Sequence, residues 1–288
     1  MTETISPEKP KPYLIAQKEE AFRTVRLHVT GGFAAADALL ALAQLARKYG
    51  RGHVHLTMRQ GIEIPYVPVE SLAAFEADLV QAGLSVSACG ASVRTITACQ
   101  GASCRHGLID SQAVARRLDE RFFGLPGLPH KFKIGVTGCP NACIKPLEND
   151  LGIMGIAKKR FDQERCEGCG LCARACPMSG ALKVIDKQVF YHPESCVHCG
   201  KCAAVCPTGA WENTGVRYAL FVGGKMGKRI RLAEPLPIEV ADEEKLVEVV
   251  GKVIEWYRTH GIPGERFGST IDRLGMNELV SGLCCESS

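Results

Sequence analysis

No stretch of this chain is apolar for long enough to cross a bilayer, so a membrane span is excluded. The opening segment, Met1 to Lys18, lacks the apolar core of an export signal. Its Pro7, Pro10 and Pro12 sit among charges and read as an extended arm. The formal net charge of +4 is mild, and no basic run is interleaved with aromatics, which argues against nucleic acid as a partner. An acidic cofactor or a small anion is left as the charged ligand to consider. There is no G-x-G-x-x-G after a strand pattern and no flavin fingerprint, so a partner must supply any hydride chemistry. Cysteine, by contrast, is abundant: fifteen residues in 288, a usage that fits the reducing cytoplasm.

Twelve of those fifteen fall into metal-ligand spacings. Eight spell C-x2-C-x2-C-x3-C-P twice, beginning at Cys166 and Cys196, and Pro177 and Pro207 close the two runs. Thiolate sulfur is the soft ligand that iron–sulfur clusters require, and three closely spaced cysteines let one loop wrap three corners of a cubane. The fourth ligand of such a loop comes from its neighbour. One cluster is therefore expected on Cys166, Cys169, Cys172 and Cys206, and the other on Cys196, Cys199, Cys202 and Cys176. Two zinc sites are the competing assignment, disfavoured because zinc motifs separate two pairs rather than running three cysteines in succession.

With 288 residues the chain can hold two domains, or one domain and an inserted module. Alternation predicts strands at Arg23–Val29, His53–Thr57, Ile62–Val67 and Val93–Thr97, with helices over Ala34–Tyr49 and Val69–Gln81. That order is the split βαβ of ferredoxin-like folds. Further on, a helix is expected at Ser111–Phe123, strands at Lys131–Thr137, Leu151–Ala157 and Val216–Val222, and a closing amphipathic helix at Asp242–His260. The two cysteine repeats, offset by 30 residues, read as an insertion between two strands. The predicted fold is α+β: a 1–20 arm, a ferredoxin-like half at 21–90, a second α+β domain at 91–160 and 213–283, and an inserted bacterial-type two-cluster ferredoxin at 161–212.

Outside the insertion, Cys99-x4-Cys104 and Gly138-Cys139-Pro140-Asn141-Ala142-Cys143 offer four more thiolates on two glycine-containing loops, enough for a third cubane. The competing reading is four merely buried cysteines. With Val25-Arg26-Leu27-His28-Val29-Thr30-Gly31-Gly32, Leu56-Thr57-Met58-Arg59-Gln60, Lys131 to Asn141 and Phe221-Val222-Gly223-Gly224-Lys225, these motifs resemble the siroheme-containing sulfite and nitrite reductases. The resemblance is nearest to the short form seen in the C subunit of anaerobic sulfite reductase. Dissimilatory sulfite reductase subunits carry a similar two-cluster insertion. The chain departs from the family at two places: its first pair has four intervening residues where five are common, and His28 stands where many members carry an arginine.

The resemblance implies that Cys99, Cys104, Cys139 and Cys143 hold a cubane and that Cys143 also ligates the siroheme iron. It implies that Arg26, Arg59 and Asn141 contact siroheme, and that Arg94, Lys131 and Lys133 face the substrate as the catalytic set. Siroheme carries eight carboxylates and sulfite is an anion, so guanidinium and ammonium groups suit both. Strand alternation places Lys131 and Lys133 on one face. His28, when protonated, could serve the same anion. The alternative for each charge is a solvated strand end, weighed most heavily for Arg26 and Lys225. Cys89, Cys284 and Cys285 have no assignment.

The expected activity is therefore a siroheme-dependent, six-electron reduction of sulfite to sulfide, with siroheme and three [4Fe-4S] clusters as cofactors. The expected partners are an external donor, such as ferredoxin or a flavin- or NADH-linked reductase subunit, and further copies of the chain in an oligomer. Reduction of nitrite to ammonia on the same fold is one rival, separable by relative turnover. A multi-cluster electron carrier without siroheme is the other, separable by the visible spectrum.

Overall fold

The structure, a computed structural model, describes residues 11–284. Pro7, Pro10 and Cys285 lie outside the described residues. The first half-domain runs β1 (Leu14–Ala16), β2 (Phe22–Leu27), α1 (Ala36–Tyr49), β3 (His55–Leu56), β4 (Ile62–Pro68) and α2 (Leu72–Gln81). Its sheet has the order β1-β2-β4-β3 and is antiparallel throughout. Leu42, Leu45 and Ala46 of α1 and Phe75 and Leu79 of α2 bury against Val25, Ile64 and Val67 of the sheet. The helical spacing of the leucines and alanines thus becomes one apolar face.

One expected strand is placed differently. Residues 93–97 do not complete this sheet; Thr97–Ala98 forms β5 of a second sheet instead. The edge beside β2 is shared by β1, from the stretch expected to be an arm, and by residues 85–87. The latter meet β2 through a Leu27–Val86 bridge, His28 N–H to Ser85 O at 2.9 Å and Ser87 N–H to Arg26 O at 2.9 Å. Short edge segments carry too few alternating positions to announce themselves.

After β5 come α3 (Ser111–Phe122), β6 (Ile134–Thr137) and β7 (Leu151–Phe161). The inserted module holds α4 (Leu171–Ala175), β8 (Leu182–Ile185), β9 (Gln188–Tyr191) and α5 (Lys201–Ala204). The chain then returns through β10 (Trp211–Val222), β11 (Glu234–Pro235), α6 (Glu243–His260), α7 (Phe267–Leu274) and α8 (Met276–Cys284). The second sheet, ordered β11-β10-β7-β6-β5, is parallel from β5 to β7 and antiparallel beyond. Asp242 caps α6 by accepting from Lys245 N–H, and Leu246, Val250, Val253 and Tyr257 bury its inner face in the main core.

β7 and β10 pair from Leu151–Val222 at the core to Phe161–Trp211 at the far end, so the module stands on the tip of a long two-stranded ribbon. Its two repeats fold alike. Gly170 and Gly200 precede the two short helices with φ of 73° and 75°, a left-handed conformation that glycine adopts without steric cost.

Candidate active site

The cysteine loops of the core meet at the C-terminal ends of β5 and β6. Gly138 N–H donates to Cys99 Sγ at 3.1 Å, and Ser111 Oγ lies 3.2 Å from the same sulfur. Burial pushes the Cys99 thiol up, yet these bonds, with others from Gly101 and Thr137, hold it below the usual thiol range. Cys139 moves the other way. Its burial dominates, and the neighbouring Cys99, Cys143 and Cys104 add to the upward push against one N–H from Asn141. All four core cysteines are therefore electrostatic neighbours. Gly155 on β7 passes beneath them, and a side-chain carbon there would lie 2.7 Å from Gly138 O. Among the described residues no His, Cys, Asp and Glu side chains close into a single-ion shell.

Beside this loop lies a cavity of about 310 Å3 lined by Arg26, Arg59, Arg94, Lys131 and Lys133, five cations drawn from four segments of chain. A second cavity, of about 300 Å3, shares Met58, Arg59 and Lys133 with the first and has Cys143 in its wall. Cations and the last core cysteine thus face adjoining space. The fold fixes several of these groups. Arg59 donates to Asn149 Oδ1 at 2.8 Å and Thr95 O at 3.2 Å, while Arg94 donates to Ala88 O at 3.0 Å and Gly90 O at 3.1 Å. Arg26 is held by Glu63 at 2.7 Å and lies 3.2 Å from Cys89 Sγ. Lys131 and Lys133 flank Phe132, which is fully buried, so the two lysines share the opposite face of an extended segment leading into β6.

Most shifts in this wall run downward, while Arg26, despite its burial, is raised by its partners Glu63 and Cys89. Burial, then the charges of Arg59 and Arg266, lower Lys133 to about 8. Burial also lowers Arg59 to about 10, with Asp150 opposing and Arg94, Arg266 and Arg26 reinforcing. Lys131 and His130 shift down for the same reasons. The acid behind the wall is Asp150, completely buried, paired with Arg266 at 2.7 Å and accepting Lys133 N–H at 2.9 Å. Burial raises its carboxyl against the pull of Arg266.

In the inserted module, Cys166, Cys169, Cys172 and Cys206 line one small cavity with Trp211. Trp211 N–H donates to Cys206 Sγ at 3.4 Å. Cys196, Cys199 and Cys202 are mutual neighbours; burial, opposed by the charge of Lys159 and reinforced by Cys196 and Cys199, raises Cys202 to about 11. Cys176 packs among the apolar residues of the module core, its Sγ 3.6 Å from Met178 O.

Several expected residues are placed away from the cavities. His28 Nε2 lies 2.8 Å from Asp119 Oδ2, and its ring stacks on Phe123 with centroids 3.7 Å apart, lining a different cavity. It is therefore not a member of the cation wall. Asn141 is exposed and lines neither cavity of the site. Lys225 bonds Ser269 Oγ at 2.9 Å and also lies outside both. Sequence reasoning missed Asp150, Arg266, Glu63 and Gln60, whose side-chain amide bridges to Ala98 N–H and C=O at 2.9 and 2.8 Å and ties the two sheets together. Only Gln60 carried a signal, as the end of the Thr-x-Arg-Gln motif.

The donor sets fit the groups that the sequence suggests. Four thiols around glycine-rich backbone suit a cubane, and Arg94 Nε is buried and unpartnered at the cation wall. Such an orphan fits a ligand with acceptor atoms.

Residues 89–286 match the family described as the nitrite and sulphite reductase 4Fe-4S domain, and residues 15–82 match the nitrite/sulfite reductase ferredoxin-like half domain. The chain is 30% identical to the coenzyme F420-dependent sulfite reductase of Methanocaldococcus jannaschii over 87% of its own length and 40% of that protein. It is 34% identical to the C subunit of the anaerobic sulfite reductase of Salmonella typhimurium over 54% of its own length and 50% of that relative. It thus spans half or less of each of these two relatives. Dissimilatory sulfite reductase I shares the fold, with a TM-score of 0.74 and 22% identity over 93% of this chain and 70% of that one. The chain belongs to the nitrite and sulphite reductase family, with the ferredoxin-like half domain preceding the 4Fe-4S domain.

Proposed function

We propose that this chain reduces sulfite to sulfide, six electrons and six protons per sulfite yielding sulfide and three waters, with siroheme held where the cation-lined cavity adjoins Cys143. The observation that carries the reading is that adjacency: five cations on one side and a cluster-type cysteine on the other. Siroheme and its cluster, when bound, would relay the external donor's electrons one at a time and offer an iron site for the substrate. Cys99, Cys104, Cys139 and Cys143 would hold the cluster, and Cys143 would be shared with siroheme. Arg59, fixed by Asn149 and Thr95, would take siroheme carboxylates, with Arg26 restrained by Glu63 beside it.

Lys131, Lys133 and Arg94 would bind the substrate oxyanion. Each can donate to an oxygen, and Lys133, its ammonium lowered by burial and by the charges of Arg59 and Arg266, can release a proton from Nζ and regain it. That suits a reaction in which oxygens leave as water. The same reading gives the module at 161–212 two further [4Fe-4S] clusters and the role of accepting electrons from an external ferredoxin or a flavin- or NADH-linked subunit. It divides the remainder into a half-domain ending at residue 90, whose sheet includes β1 (Leu14–Ala16), and a cofactor-binding domain at 91–160 and 213–283. The reduced thiols suit the cytoplasm, and the working form is an oligomer. Among the described residues no helix is long and apolar enough to cross a membrane.

The test is the visible spectrum of the chain reconstituted anaerobically with iron, sulfide and siroheme. Haem-like bands that move when sulfite is added under reducing conditions are expected. Cluster absorption alone, with no tetrapyrrole extractable, would sink the proposal.

A further inference from the structure

Lys159 lies on β7 outside the cation wall, where the ribbon enters the inserted module. Its ammonium is 3.0 Å from Cys196 Sγ and 2.8 Å from Tyr191 OH, and it sits over the Tyr191 ring at 4.6 Å, with the Trp211 ring at 5.8 Å. Other lysines of this chain, including Lys11, Lys48 and Lys245, pair with carboxylates. Lys159 is half-buried and, among the described residues, has no carboxylate partner. A half-buried ammonium needs compensation, and its one acidic neighbour within hydrogen-bond reach besides a phenol is a thiol. The arrangement makes sense when that sulfur is a thiolate in a negatively charged cluster.

Position along the strand adds a second observation. Gly155, Ala157 and Lys159 share one face of β7. Gly155 abuts Gly138 in the core cysteine loop, Ala157 N–H donates to His198 O at 2.8 Å in the second-repeat loop, and Lys159 reaches Cys196. Phe161, at the strand's end, pairs with Trp211, which lines the first-repeat cavity. The second repeat therefore lies between the core cysteines and the first repeat.

We propose that Lys159 is a positioning residue that holds the second-repeat cluster at a raised reduction potential, making it the inner station between the first-repeat cluster and the core. The proposal rests on the reading that both repeats carry [4Fe-4S] clusters. Reduction of that cluster adds one electron, taken from an external one-electron donor that is oxidised in turn, and no bond is made or broken. A fixed positive charge and an N–H···S bond both favour the more negative, reduced state. Loss of the charge should change the redox equilibrium by about tenfold or more, which is 59 mV for a one-electron couple.

The experiment is an anaerobic redox titration of the reconstituted full chain, poised with dithionite and mediators and followed by electron paramagnetic resonance. Wild type, Lys159→Met, Lys159→Gln and Lys159→Arg are compared. The signal that Cys199→Ala removes should fall by about tenfold in its equilibrium constant in the Met and Gln variants and stay near wild type with Arg. The other cluster signals should not move. An unchanged midpoint in both neutral variants, or an equal shift of every cluster, would overturn the proposal. If Lys159→Met loses iron, Lys159→Gln alone decides by the same criterion. Wild type holding no cluster in the module would defeat the two-cluster reading itself, which iron content reports before any variant is made.

Discussion

Replacing Lys133 by Met removes one charge from the place where the two cavities join and leaves a chain of similar length. Among the described residues its ammonium has no hydrogen-bond partner, so an incoming anion is its natural one. A charge-assisted hydrogen bond is worth about 1.5–3 kcal/mol, which at about 1.4 kcal/mol per tenfold corresponds to roughly 10- to 100-fold in kcat/KM for sulfite. The pH profile adds a signature that packing damage cannot mimic. In the chain without siroheme, burial and the charges of Arg59 and Arg266 lower wild-type Lys133 to about 8, and the carboxylates of a bound siroheme would move it back up. Lys133→Arg keeps its charge throughout, so the ratio of wild-type to Arg-variant activity should fall at alkaline pH, once wild-type Lys133 loses its proton. The assay is sulfite-limited turnover with an artificial one-electron reductant, after cofactor content is matched. Lys225→Ala, outside both cavities, is the control. Near-normal kcat/KM for both Lys131→Ala and Lys133→Met, with siroheme and iron intact, would refute the placement of the anion.

Iron and sulfide analysis of the reconstituted chain should give about thirteen irons, four for each of three clusters and one for siroheme, against about eight if only the inserted module binds clusters. Cys206→Ala should lose the cluster of Cys166, Cys169 and Cys172, and Cys176→Ala the other; resonance spectra showing loss of the same-repeat cluster would reverse the assignment. Asp150→Asn leaves the buried Arg266 uncompensated and should cost about 3–5 kcal/mol in urea unfolding of the apoprotein, whereas a loss below about 1 kcal/mol would mean the pair is not the keystone of the wall. Because the folded state lowers Lys133 from 10.5 to about 8, the unfolded chain holds a proton there that the folded one has lost. Wild type should therefore gain stability relative to Lys133→Met as pH climbs from about 8 to 10.5, and a flat difference would contradict the shift.

What could be read from sequence was what lies close in sequence. The cysteine runs, the helices of Leu42 and Val250 and the lysines around Phe132 depend on spacing alone, and each appears as an ordered local unit. Partners from distant segments were invisible. Arg266 reaches Asp150 across 116 residues, Arg59 reaches Asn149 across 90, and His28 is claimed by Asp119. The family resemblance set His28 where many members carry an arginine, but it lies one residue past the end of β2, and the carboxylate on α3 holds it at another cavity. The strand expected at 93–97 failed for a related reason. Its alternation is real, but tertiary pairing with Ile134–Thr137 decided which sheet would have it.

The cation wall also explains why the two halves must be fastened so closely. Arg26 and Arg59 come from the ferredoxin-like half, while Arg94, Lys131 and Lys133 come from the other. Like charges gathered in a cavity repel, and the downward shifts of Lys133 and Arg59 record that repulsion together with burial. Left to itself the repulsion would part the halves. It is opposed by clamps outside the cavity: Gln60 on Ala98, Gln112 on Gly31 O and Cys99 O, and Asp119 accepting from Thr30 Oγ1 and facing His28. Acids placed in the cavity would have satisfied the cations and spoiled the site. Glu63 and Asp150 instead pair with Arg26 and Arg266, leaving the ammonium groups of Lys131 and Lys133 without hydrogen-bonded partners among the described residues. The resulting field favours an anion wherever it enters, and a bound polyanion stabilises the closed arrangement by linkage, about 2.7 kcal/mol at a hundred times its Kd. Binding strength and the rigidity of the join between the halves are then two expressions of the same uncompensated charge.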